Sequence, residues 1–218
     1  MLPTPGVVAV FAKPPRPGEV KTRLGAVLGH EAATRLARAF FEDTWNGLQR
    51  VPDLHRVIAS TTDEPAAFGA PTAEVWLQGE GDLGARIERI ARRALAQAPW
   101  FIALGADSPG LPAARLEAAR AALLRHDAVL GPAEDGGYYL LGLKRLSPGL
   151  FADLPWSTNT TFNATRHRLV ERGYSVATIQ TWFDVDEPSD LERLRTELAS
   201  GTLQAPRTAA ALAKLSAR

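Results

Sequence analysis

Three sets of carboxylates mark this chain: Asp107 in "LGADSPGLP", Glu134 and Asp135 in "GPAEDGGYY", and Asp184 and Asp186 in "WFDVDEP". Four cations, Lys13, Arg16, Lys21 and Arg23, crowd into "FAKPPRPGEVKTRL", a segment stiffened by Pro14, Pro15 and Pro17. A further loop, "QGEGDLGARI", places Gln78, Gly81, Asp82 and Gly84 ahead of a helical pattern, where free backbone N–H groups suit phosphate. No Walker lysine follows it. Cations, backbone donors and carboxylates together are what a nucleoside diphosphate bridged by a divalent metal requires.

Each set also has a purely structural explanation. Asp107 and Ser108 are good helix caps. Asp186 or Ser189 would cap the last helix, with Glu187 and Asp190 in its positive first turn. A single cap is enough, so one of Asp184 and Asp186 is left free for metal. Glu134 and Asp135 suit a turn before Gly136 and Gly137, and the cationic loop suits a solvated surface. The four histidines, at 30, 55, 126 and 167, show neither metal-ligand nor triad spacing and read as structural or surface residues.

The elements that must position these residues alternate. Val8–Phe11, "HRVIAS", "AEVWLQ", "WFIALGAD" and "YSVATI" read as short strands. Amphipathic helices are expected over 29–49, around Ile87–Leu95 with Asp82 as its cap, over 112–125, near 159–172 and from Pro188 to Leu198. "WFDVDE" is read as a β-like stretch. The two runs around "AEDGG" predict an antiparallel element within 131–143. The pattern predicts an α/β fold with a mostly parallel sheet covered on both faces. In such sheets ligands sit beyond the carboxyl ends of the strands, and the polar clusters lie at or near those ends.

The 218 residues fit one domain, 1–218, with a core over about 7–198 and an Ala-rich tail, 199–218, that reads as a terminal helix. With 25 basic and 24 acidic residues the net charge is +1, which argues against nucleic acid as a partner. No apolar run approaches a membrane span of roughly 20 residues, and "MLPTPG" lacks the features of a signal peptide. There is no cysteine, which excludes disulfides and thiolate chemistry. A cytoplasmic enzyme is the expectation.

In this order, "FAKPPRPGEVKTRL", "QGEGDLGARI", "LGADSPGLP", "GPAEDGGYYLLGL", "LPWST" and "DVDEPSDL" resemble an uncharacterised family of glycosyltransferase-A-like transferases, often described as arsenosugar-biosynthesis glycosyltransferases. More distantly they resemble molybdenum-cofactor nucleotidyltransferases and phospholactate guanylyltransferases. The resemblance implies a three-layer α/β/α Rossmann-like glycosyltransferase-A fold of the nucleotide-diphospho-sugar transferase superfamily. It implies a metal site at Asp107 and at Asp184 or Asp186, taking Mg²⁺ or Mn²⁺. It places Lys13, Lys21 and Arg23, with Arg16 beside them, at the nucleotide phosphates. Gln78, Gly81, Asp82 and Gly84 would meet the base or ribose. The partners implied are a nucleotide or nucleotide-sugar and a small-molecule acceptor. On the chemistry of the residues themselves, Asp135 or Glu134 is the expected general base on an acceptor hydroxyl, or the group that orients it. The first loop lacks a Gly-Gly followed by arginine, so no base preference carries over, and "DSP" is not a full D-x-D. The expected activity is glycosyl transfer, with nucleotidyl transfer and a non-catalytic nucleotide-binding module as the alternatives.

Overall fold

A computed structural model describes residues 5–216. The first four residues of "MLPTPG" and the last two of the tail lie outside the described residues. Seven strands form one sheet: β1 (Gly6–Ala12), β2 (Leu54–Ser60), β3 (Glu74–Leu77), β4 (Phe101–Gly105), β5 (Ala128–Pro132), β6 (Tyr138–Leu143) and β7 (Val176–Thr178). Their spatial order is β3-β2-β1-β4-β6-β5-β7. β6 runs antiparallel to both neighbours, and the remaining pairings are parallel. The expected antiparallel element is therefore the β5–β6 hairpin.

The helices are α1 (Thr22–Leu28), α2 (His30–Leu48), α3 (Leu83–Leu95), α4 (Ala113–Leu123), α5 (Thr161–Glu171), α6 (Pro188–Ala199) and α7 (Pro206–Ser216). Alternation along β1 shows why both faces need cover. Val7 and Ala9 pack with Ile87 and Ile90 of α3 and Leu169 of α5, while Val8 and Val10 pack with Leu116 and Ala119 of α4 on the other face. A third cluster joins Leu36 and Phe40 of α2 to Leu191 and Leu194 of α6 and Leu212 of α7. Asp43 on α2 accepts from the backbone N–H groups of Arg207 and Thr208 at 3.0 and 2.8 Å, capping α7 from across the chain. No described helix is long and apolar enough to cross a membrane.

Three local expectations are corrected. The cationic segment does not stay a loop, because Thr22–Leu28 is helical, with Gly29 at φ +83° separating it from α2. "WFDVDE" forms no strand: Trp182 makes a single bridge to Ala133. α6 is capped by Glu187, in a reciprocal capping box with Asp190, rather than by Asp186 or Ser189.

Candidate functional site

The ends of β1, β3, β4 and β5 deliver Lys13, Gln78, Asp107 and Asp135 to one edge of the sheet. The backbone N–H of Val185 donates to the Asp107 carbonyl at 2.9 Å, tying "DVD" to the end of β4. Glu187 and Asp190 meet the capping need of α6, and the cap of α4 is Pro112, which leaves Asp107, Asp184 and Asp186 unused by helix termini.

At the centre stands Lys21. Its ammonium lies 2.6 Å from Asp107 Oδ1 and 2.6 Å from Asp186 Oδ1, and its side chain is 4% exposed. It sits at φ +45° as the N-cap of α1, in the left-handed region that non-glycine residues enter only where the surroundings impose it. Burial pulls the ammonium's pKa down, but the two carboxylates more than offset this and hold it raised. Behind this group, burial pushes the Asp184 carboxyl up to about 6, aided by the negative charges of Asp135 and Asp186.

Two cavities share Lys21 and Asp186 in their walls. The first, about 340 Å³, has Lys13, Gln78, Arg86 and Asp107 around an apolar floor that includes Phe11, Phe41 and Phe68. The second, about 470 Å³, is lined by Lys21, Thr22, Arg23, Asp135, Ser157, Thr158, Asn159 and Asp186. Asp135 is held there by its own turn, accepting from the Gly137 N–H at 2.8 Å. Gly136 presses against the Ser157–Asn159 segment: an added Cβ would fall 2.1 Å from the Asn159 carbonyl oxygen.

The structure therefore sorts the residues singled out in the sequence. Asp107, Asp186 and Lys21 converge, with Asp184 adjacent, and Lys13 and Gln78 line the first cavity. Arg23 lines the second cavity, not the first, and pairs with Glu187 at 2.9 Å. Arg16 lines neither and forks onto both Glu64 oxygens at 2.7 and 2.8 Å. Glu134 is taken by Arg193 of α6 at 2.5 Å, so of the acidic pair only Asp135 faces a cavity. Asp82 caps α3, accepting from Ala85 N–H at 2.8 Å, and Gly84 packs against the Phe151 carbonyl, where a Cβ would come within 2.5 Å. Gly81, at φ +104°, turns its carbonyl to Arg86, while Arg89 clamps the carbonyls of Gln78 and Glu80. That loop is built to hold its own shape; Gln78 at its start lines the first cavity, as do Leu83 and Arg86 in the first turn of α3. Arg86, Thr22 and Ser157–Asn159 were not singled out. Arg86 lies inside the quoted "QGEGDLGARI", and "WSTNTT" is a polar run without apolar periodicity.

A mostly parallel sheet with polar residues gathered at its carboxyl edge, one reversed strand, and two cavities meeting there define a nucleotide-diphospho-sugar-transferase-like fold. Residues 44–158 match the family described as "Uncharacterized protein conserved in bacteria (DUF2064)", and the chain belongs to that family. It is 31% identical to a putative nucleotide-diphospho-sugar transferase from Desulfovibrio desulfuricans G20, over 97% of this chain and 95% of that one, with a TM-score of 0.88. A CMP:2-keto-3-deoxy-manno-octonic acid synthetase complexed with CTP shares the fold at 13% identity, over 90% and 99% of the two chains, with a TM-score of 0.60. An inositol-1-phosphate CTP transferase from T. maritima does so at 12%, over 86% and 91%, with a TM-score of 0.57. Among curated proteins nothing matches significantly.

Proposed function

We propose that the protein is a metal-dependent glycosyltransferase that moves a sugar from a nucleoside diphosphate to a hydroxyl of a small acceptor. The observation that carries this is Lys21, held between Asp107 and Asp186 in the wall common to both cavities. A donor in the first cavity has its diphosphate beside Lys13, Lys21 and Arg86 and its sugar at the junction. The acceptor approaches from the second cavity. Its hydroxyl oxygen bonds to the anomeric carbon as the bond from that carbon to the phosphate oxygen breaks, and the nucleoside diphosphate leaves with the electron pair. Asp135, facing the second cavity, takes the hydroxyl proton.

The residues present suit Mg²⁺ or Mn²⁺. Asp107 and Asp186 offer hard oxygen donors, and Mg²⁺ typically binds one or two carboxylates together with substrate phosphates. Among the described residues no group of three metal-type side chains is assembled. When bound, the ion would neutralise charge on the departing diphosphate. The 31%-identical relative, described as a putative nucleotide-diphospho-sugar transferase, supports a sugar donor.

Nucleotidyl transfer is the second reading, favoured by the shared fold with the two CTP-linked enzymes. It would join a phosphorylated acceptor to the α-phosphate of a triphosphate and free pyrophosphate. The carboxylates of Asp135 and Asp186 oppose such an acceptor. A panel of nucleotide-sugars and nucleoside triphosphates, with Mn²⁺ or EDTA, separates these readings. Nucleoside diphosphate release that is lost with EDTA and with Asp107→Ala is the expected result. Faster pyrophosphate release, dependent on a phosphorylated acceptor, would establish the second reading instead. Nucleotide binding with no turnover of any donor would leave a non-catalytic module.

A further inference from the structure

We propose that the second cavity is built for a neutral polyhydroxylated molecule and selects against phosphorylated ones, with Thr22, Ser157 and Asn159 making the contacts. That this molecule is the acceptor rests on the glycosyl-transfer reading; the preference for uncharged polyols does not.

The side chains left over at this cavity suggest its ligand. The Thr22 and Ser157 hydroxyls and the Asn159 amide line it and have no hydrogen-bond partner among the described residues. Their neighbours are spent. Thr158 and Thr161 hydroxyls donate to the Pro155 carbonyl at 3.1 and 2.6 Å, and Thr160 pairs with Thr158 at 2.9 Å. What remains is two hydroxyls, one amide and the Asp135 carboxylate, a set of donors and acceptors that matches the alternating donor and acceptor character of a polyol.

The seats that α5 would offer a phosphate are already taken. A helix start offers free N–H groups to anions, yet at α5 Thr160 N–H goes to Thr158 Oγ1 at 3.3 Å, Thr161 N–H to the Thr158 carbonyl at 3.2 Å, and Phe162 N–H to the Gly136 carbonyl at 2.9 Å. Arg23 is engaged by Glu187, and Lys21 is shared by two carboxylates. Asp186 is neutralised by Lys21, but Asp135 pairs with no cation among the described residues and presents its negative charge to any phosphate entering.

The contact segment is also held in place. Ser157 is fixed at φ +57°, and Gly136, at φ +89°, abuts the Asn159 backbone too closely for any side chain. Holding the backbone that carries the Ser157 hydroxyl and the Asn159 amide lowers the entropic cost of capturing a small polar ligand.

Saturation-transfer NMR on the full chain tests this with glycerol, myo-inositol and methyl glucoside against glycerol 3-phosphate, inositol 1-phosphate and glucose 6-phosphate. The neutral probes should show saturation and each phosphorylated counterpart should bind at least about tenfold more weakly. Asn159→Leu, at an exposed position, should abolish the polyol signal, and Asp135→Asn should narrow the gap between glycerol and glycerol 3-phosphate. Equal or tighter binding of the phosphorylated set, no signal from any polyol, or a signal indifferent to Asn159→Leu would each overturn the proposal. Nucleoside diphosphate binding is measured in the same samples. Polyol binding without nucleotide binding would retire the donor assignment alone, and the converse would retire this inference alone.

Discussion

Replacing Lys21 with methionine isolates the contact on which the site is centred. Methionine keeps most of the stem's length among its neighbours and removes the ammonium from between Asp107 and Asp186. A hydrogen bond to a charged group contributes about 1.5–3 kcal/mol, and Lys21 makes two. The carboxylates, however, are 55% and 46% exposed, so water re-solvates them once the cation is gone. The variant also escapes the cost of burying an ammonium. These offsets bring the expected net loss down to about 1–2 kcal/mol, or roughly 2–8 °C in Tm for a chain of this size. Ligand binding should respond more strongly. In EDTA, calorimetric titration should find a nucleoside diphosphate about 10–100-fold weaker, the equivalent of one charge-assisted contact. Titration with Mn²⁺ alone should show tighter binding than in the parent, because no ammonium competes for the two carboxylates. A variant that loses more than about 4 kcal/mol, or fails to fold, would make Lys21 a structural counter-ion. Unchanged diphosphate affinity in EDTA would remove Lys21 from the phosphate site.

Asp184 supplies a pH test. Its folded pKa is raised from 3.8 to about 6, so the folded state holds the proton more tightly than the unfolded chain and stability falls as pH rises through that window. In the metal-free protein Asp184→Asn should gain about 1–2 kcal/mol at pH 7.5, the partial exposure of the group having been allowed for, and gain nothing near pH 4. A gain independent of pH in denaturant melts would refute this. Gly136→Ala should cost about 3 kcal/mol or more, since strain at positive φ adds to the contact with Asn159, whereas Gly18→Ala, at φ +80° in open space, should cost about 1 kcal/mol. Equal losses in parallel melts would show that the turn yields. Arg86→Ala should weaken nucleoside diphosphate binding about tenfold. Arg16→Ala, which breaks only the exposed pair with Glu64, should leave that affinity within about twofold. The reverse order in a binding titration would mean that the first cavity has been misassigned.

The sequence by itself determined what short-range physics encodes. The apolar run of β4, the helical period of α2, the Asp82 cap and the Gly-Gly turn of the β5–β6 hairpin each depend on residues within a few positions, so pattern alone placed them. The placement of Asp107 followed too, because a polar residue directly after a buried strand must emerge at the sheet's carboxyl edge. Only the tertiary structure decided which charges meet. Lys21 finds Asp186 across 165 positions, and nothing local distinguishes that cation from Arg16, which turns to Glu64. Glu134 and Asp135 are adjacent and chemically alike, yet the turn aims one at Arg193 and the other into a cavity. Glu187 caps α6 with Asp190, which frees Asp186 for Lys21, although Asp186 is the commoner kind of cap. In each case the local preferences of the competing residues are nearly equal, and the choice rests with contacts that exist only once the sheet has brought distant segments together.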